Sequence, residues 1–98
     1  MPILSFADTG TDDVFNGRDS RAARHVCPSA LHRIARRKLD ALNAAHTLDD
    51  LTRPPGNRLE ALKGARRGQH SIRVNDQYRV CFRWTAAGAA DVALVDYH

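Results

Sequence analysis

The stretch His70–Trp84, HSIRVNDQYRVCFRW, decides the fold. Ile72 and Val74 alternate with Arg73 and Asn75; Asn75, Asp76 and Gln77 supply turn residues; and Tyr78, Val80, Phe82 and Trp84 restore the apolar alternation on a returning strand. A period of two interrupted by a polar turn predicts a β-hairpin with one apolar face. Arg79, Cys81 and Arg83 then fall on the opposite face, and Arg73 and Asn75 share that face on the neighbouring strand. Helices covering the apolar side would leave an arginine-rich sheet face outside.

Beyond the hairpin, the small residues Thr85–Ala90 read as a turn and Val92–Tyr97 as a last strand. Before it, Lys63–Gln69 (KGARRGQ), bounded by Gly64 and Gly68, reads as a flexible basic loop, and Arg58–Leu62 as a further strand. The cluster Pro54, Pro55, Gly56, Asn57 is the strongest turn signal and divides an alternating half from a helical half. In that helical half, Leu31, Ile34, Ala35, Leu39 and Leu42 recur at three- to four-residue spacing, predicting a helix from an Ser29 N-cap to about Ala45, with Arg33, Arg36, Arg37 and Lys38 outside the stripe. Thr47 is expected to cap a single turn through Leu51. Arg18–Cys27 carries few large apolar groups and reads as a solvated loop or ragged helix, preceded by a brief helix over Asp8–Gly17 and a short strand at Ile3, Leu4 and Phe6. Helices first and a meander afterwards predict an α+β fold: a small single domain over residues 1–98, its N-terminal helices packed on one face of a mostly antiparallel sheet of three to five strands.

Ninety-eight residues allow one core, and 43% hydrophobic with 27% charged residues excludes a chain that stays unfolded. No run of about 18 apolar residues occurs, and the opening MPILSFADTG lacks a basic n-region, so neither a membrane span nor a secretory signal is expected and the cytoplasm is the expected compartment. Cys27 and Cys81 are accordingly read as free thiols. Fifteen Lys and Arg face eleven Asp and Glu, giving a net charge of +4, and all the cations but Lys38 and Lys63 are Arg. Arg binds phosphate through a planar fork, so polyphosphate recognition leads, with coding bias toward Arg as the bland alternative. Between Arg58 and Arg83 there are seven basic and two acidic residues, which focuses the positive field on the hairpin half. His25, Cys27 and His32 have a ligand-like spacing without a second Cys pair, and no metal or cofactor is expected.

The residues also resemble a known family. PPGNRLEALKG (Pro54–Gly64), GQHSIRVNDQYRVCFRW (Gly68–Trp84) and the closing VDYH (Val95–His98), with SFAD at Ser5 and VFNG at Val14, are similar to the HigB-type toxins of bacterial type II toxin–antitoxin pairs, a plasmid maintenance killer branch of the RelE/ParE superfamily. The resemblance implies a compact α+β domain that enters the ribosomal A site, where it meets 16S rRNA and cuts the mRNA. It also implies a helix-turn-helix, HigA-type antitoxin partner that silences the toxin and alone carries it to operator DNA. No membrane partner is expected.

Cleavage of RNA by its own 2′-OH needs in-line geometry, neutralised charge on the phosphorane and a proton path to the leaving 5′-oxygen. By resemblance, Arg79 in the QYR pattern holds the scissile phosphate, with Lys63 in LKG beside it and Arg73 as a third cation. Asn75 stands where some relatives carry Arg. His98, an imidazole titrating near neutrality within the DYH ending, is the candidate proton carrier, with Asp96 and Tyr97 orienting it or the substrate. Glu60 stands where some relatives have His, and its carboxylate is a candidate base. Arg58, Arg66, Arg67, Arg73 and Asn75 form the candidate RNA-binding set. Against these stand ordinary readings: a terminal His frays, Tyr97 packs, Lys63 is loop charge, and Trp84 belongs to the core. Two alternatives to a ribosome-dependent endoribonuclease remain open at this stage: a non-enzymatic toxin of the same fold that poisons DNA gyrase, and a general basic RNA-binding module.

Overall fold

The structure is a computed structural model that describes residues 2–97. The helical half opens with α1 (Thr9–Phe15), capped by Asp8, whose Oδ1 accepts the Thr11 N–H at 2.6 Å. Of the two readings of Arg18–Cys27, a solvated loop or a ragged helix, the structure shows the helix, α2 (Arg21–Val26) behind a Ser20 cap; unlike a solvated segment it buries Ala23 and, just past its end, Cys27. Small residues do this where large ones would be looked for. Gly10 of α1 lies so close that an added Cβ would sit 2.4 Å from the Ala22 carbonyl oxygen, so the two helices meet backbone to backbone.

A 3-10 turn at Ser29–Leu31 precedes α3 (His32–Ala44), and Ser29 does not cap the helix as expected. The chain enters α3 already coiled, with Leu31 N–H bonded to the Pro28 carbonyl, so the turn carbonyls meet donors that a hydroxyl otherwise would. The predicted stripe is buried at Ala35, Leu39 and Leu42, with Leu31 and Ile34 partly so. Thr47 caps the next 3-10 turn, Leu48–Thr52, in a reciprocal capping box with Asp50, and Leu51 is buried.

The alternating half is a four-stranded antiparallel sheet in the order β1 (Glu60–Ala61), β2 (His70–Arg73), β3 (Tyr78–Thr85), β4 (Gly88–Asp96). The strand expected over Arg58–Leu62 shrinks to β1 because Arg58 takes a left-handed conformation (φ 45°). The turn expected over Thr85–Ala90 is confined to Ala86 and Ala87, and Gly88, Ala89 and Ala90 belong to β4. Gly88 must be glycine there, since a Cβ would lie 2.1 Å from the Pro2 carbonyl oxygen. The N-terminal segment crosses at that point, and in place of the expected strand it makes two isolated parallel bridges to β4, Ile3 to Ala89 and Phe6 to Val92.

All three helices of the described residues contact β4, and α3 reaches β3 as well. Val14, Ala23, Ala35, Leu39 and Leu42 from the helices meet Ile72, Val80, Phe82, Val92 and Leu94 from the sheet in one core. The helices therefore cover one sheet face, as the hairpin's alternation demands, and Trp84 packs against Phe82 at that core's margin. Both cysteines are free and buried.

Candidate active site

Strand register sets the face turned away from the helices. Glu60, Ser71, Cys81 and Ala93 lie across from one another in one row, and Arg73, Arg79 and Val95 in the next. This face is not bare. Ser71 and Cys81 are fully buried and Arg79 is only 8% exposed, because the 58–69 segment approaches it. A groove of about 490 Å³ opens beside it, lined in part by Arg66, Gln69, Ala93 and Val95.

Arg79 is the fixed point of this surface. Its Nε donates to Ser71 Oγ at 2.6 Å and its Nη2 to the Arg58 carbonyl at 2.5 Å and the Ser71 carbonyl at 3.4 Å. Nη1 has no acceptor among the described residues, so one corner of a pinned guanidinium is left for a ligand. Glu60 Oε1 lies 3.9 Å from Nη2 on an exposed side chain. Burial raises the Cys81 thiol pKa, opposed by the charges of Arg66 and Arg79, so Cys81 is a protonated, inert floor to the site.

The remaining candidates divide. Arg66 is half-exposed and donates to Gln69 Oε1 at 3.3 Å, while Arg58, Lys63 and Arg67 are exposed around it. Lys63 precedes the 3-10 turn Gly64–Arg66, at its N-cap position. Arg73 stands across from Arg79 and is drawn aside by an ion pair with Asp76. Asn75 spends its side-chain carbonyl on the hairpin turn, accepting from Gln77 and Tyr78 N–H at 2.9 and 2.7 Å. Asp96 pairs in register with Tyr78 on the other pleat parity, accepts from Gln77 Nε2 at 3.1 Å and raises the Tyr78 pKa behind the larger effect of burial. Tyr97 is exposed at the end of β4, and His98 lies outside the described residues. The structure thus gathers Arg79, Glu60 and Ser71, with Arg66 close enough to act on Cys81 beside them, and places Asp96 at the Tyr78 end of β4.

Sequence reasoning missed Ser71 and the Arg58 carbonyl as the groups that pin Arg79. Ser71 sits two residues from Arg73 on the same face, a placement visible in the alternation; a main-chain acceptor leaves no sequence signal. A second basic feature lies on the helical side, a cleft of about 410 Å³ lined by residues including Arg18, His32, Arg33 and Arg36, and it contains none of the candidate site residues.

A family profile described as the RelE-like toxin of the type II toxin–antitoxin system HigB matches residues 4–98. The chain belongs to the HigB-like toxin family. Consistent with this, it is 46% identical over 91 residues, covering 93% of each chain, to a protein of Vibrio cholerae serotype O1 named Toxin HigB-1. It is also 42% identical over 57 residues, 58% of this chain and 56% of the relative, to an uncharacterized protein of Haemophilus influenzae. As a HigB-like toxin of a type II pair, the chain has an antitoxin as its partner, and its α+β fold is the one expected of RelE-like toxins. No helix among the described residues is long and apolar enough to cross a membrane.

Proposed function

We propose that this HigB-like toxin is a ribosome-dependent endoribonuclease that cuts mRNA in the A site, in the cytoplasm, by attack of the substrate's 2′-OH on the adjacent phosphate. The observation that carries the reading is the Arg79 guanidinium, pinned by Ser71 and the Arg58 carbonyl with one corner left over. A cation held still in a partly desolvated site stabilises charge developing on a phosphorane without reorganising, which is where electrostatic catalysis is strongest. Arg73 stands across from Arg79 in register, and Arg58, Lys63, Arg66 and Arg67 along the 58–69 segment add positive charge suited to the RNA backbone and to 16S rRNA, with Asn75 in the hairpin turn completing the proposed RNA-binding set.

In this reading Glu60 takes the 2′-OH proton, Arg79 and Lys63 neutralise the pentacoordinate phosphate, and His98 returns a proton to the departing 5′-oxygen, with Asp96 and Tyr97 orienting the C-terminal tail. The ribosome supplies the in-line geometry, which accounts for catalysis by a site with so few acid and base groups. A HigA-type helix-turn-helix antitoxin silences the toxin and brings it to operator DNA.

Mapping the 5′ ends of cellular mRNA shortly after induction tests the reading. Cuts in register with codons, lost with Arg79→Ala, are expected. DNA damage without such cuts would favour a gyrase poison instead. Salt-sensitive binding to naked RNA with no toxicity would favour a general RNA-binding module.

A further inference from the structure

Asn57 is a buried polar side chain with no role in the chemistry just described. It is 0% exposed, accepts from Lys38 Nζ of α3 at 2.6 Å, and donates through Nδ2 to the Leu51 and Arg53 carbonyls at 3.2 Å each. Its main-chain N–H bonds the Pro54 carbonyl. The loop from Leu51 to Asn57 is thus wrapped around one amide group. The next residue, Arg58, is left-handed at φ 45° and ψ 57°, a conformation an L side chain adopts only when its surroundings impose it. That conformation aims the Arg58 carbonyl at Arg79 Nη2.

We propose that Asn57 is a positioning residue for Arg79. It ties the 51–57 loop to α3 through Lys38, so that the Arg58 carbonyl, together with Ser71, fixes the guanidinium. The proposal extends the nuclease reading by naming what holds its principal cation. A buried amide satisfied on three sides specifies one geometry, because any shift leaves a desolvated donor or acceptor unpaired. Asn57 also bonds the carbonyl of Leu51, a core residue, so the test must separate positioning of Arg79 from support of the fold.

The test uses Asn57→Ala in the full-length toxin, with cleavage of ribosome-bound mRNA and the NMR signal of the Arg79 Nε–H as separate readouts. We expect kcat to fall roughly ten- to a hundredfold with KM little changed, as misplacement by about an ångström does. The Nε–H signal should shift and lose protection from exchange. In an Arg79→Ala background, Asn57→Ala should add no further loss of cleavage, which a merely structural role would not reproduce. Should Asn57→Ala fail to fold, Lys38→Met at a half-exposed position carries the test, with a smaller effect of the same sign on both readouts. An unchanged Arg79 signal, or cleavage losses that add to those of Arg79→Ala, overturns the proposal. If the wild-type toxin cuts no mRNA yet the Arg79 signal responds, the nuclease reading falls and the positioning role stands.

Discussion

Glu60 Oε1 stands 3.9 Å from Arg79 Nη2, the carboxylate half exposed and the guanidinium nearly buried. An exposed carboxylate beside a buried cation is loosely paired, worth about 0–1 kcal/mol, so it is free to leave Arg79 when a phosphate arrives. As the proposed base it should be essential to turnover and not to binding. Glu60→Gln is expected to lower kcat about a hundredfold or more while KM for ribosome-bound mRNA holds or falls, since a negative charge next to the phosphate site is removed. A variant with wild-type kcat across the pH range would remove Glu60 from the chemistry.

Arg79→Lys separates charge from geometry. Lysine keeps a positive charge yet cannot donate from Nε to Ser71 Oγ and from Nη2 to the Arg58 carbonyl at once. The expected loss in kcat is about 10²–10³-fold. Leaving a buried hydroxyl and carbonyl without donors should also cost about 1–3 kcal/mol of stability, measured by chemical denaturation. Full activity in Arg79→Lys would mean that only the charge matters, and that the pinned geometry has no catalytic use.

The hairpin was legible because its two-residue period depends only on which residues are apolar, and Val80 and Phe82 are buried as that period requires. The α3 stripe was legible for the same reason. In Arg18–Cys27 a helix was one of two readings but its burial was not legible, since α2 packs through Ala23 and against Gly10, and contact made by small residues carries no hydrophobic periodicity. The Thr85–Ala90 stretch misled in the same way: its small residues mark a crossing of chains and only two of them a turn. At the site, alternation put Arg73 and Arg79 on one face, but it could not show that Arg79 is buried. That burial depends on Arg58 turning left-handed after a tightly wrapped loop, a consequence of side-chain bonds from Lys38 and Asn57 separated by 19 residues.

Gly10→Ala tests the unexpected helix pair. The new Cβ would lie 2.4 Å from the Ala22 carbonyl oxygen and 2.6 Å from Val26 Cγ1, and the first of these is backbone, which cannot rotate aside. Overpacking of this kind costs about 1–3 kcal/mol, which in a domain of this size lowers Tm by roughly 5–20 °C. Gly56→Ala, where nothing lies within 4 Å of the added carbon, serves as the control and should leave Tm nearly unchanged. Equal Tm values for the two variants would show that α1 and α2 do not meet as closely as described.

Cys27 gives the stability a dependence on alkaline pH. Burial pushes its thiol up from 9.0 to about 11, since the thiolate is poorly solvated at the end of α2. An acid whose folded pKa is raised contributes fully while the thiol is protonated in both states. From about pH 9 the unfolded chain releases this proton and the folded chain does not, so stability falls until the folded thiol also ionises near 11. Cys27→Ala removes that increment. Its Tm should start lower at neutral pH because packing is lost, and then decline less steeply than the wild type between pH 9 and about 11. The same burial predicts that Cys27 resists a thiol reagent at pH 8 until the chain is unfolded. Parallel Tm curves for the two proteins, or rapid labelling of native Cys27, would show that this thiol is solvated in the folded toxin.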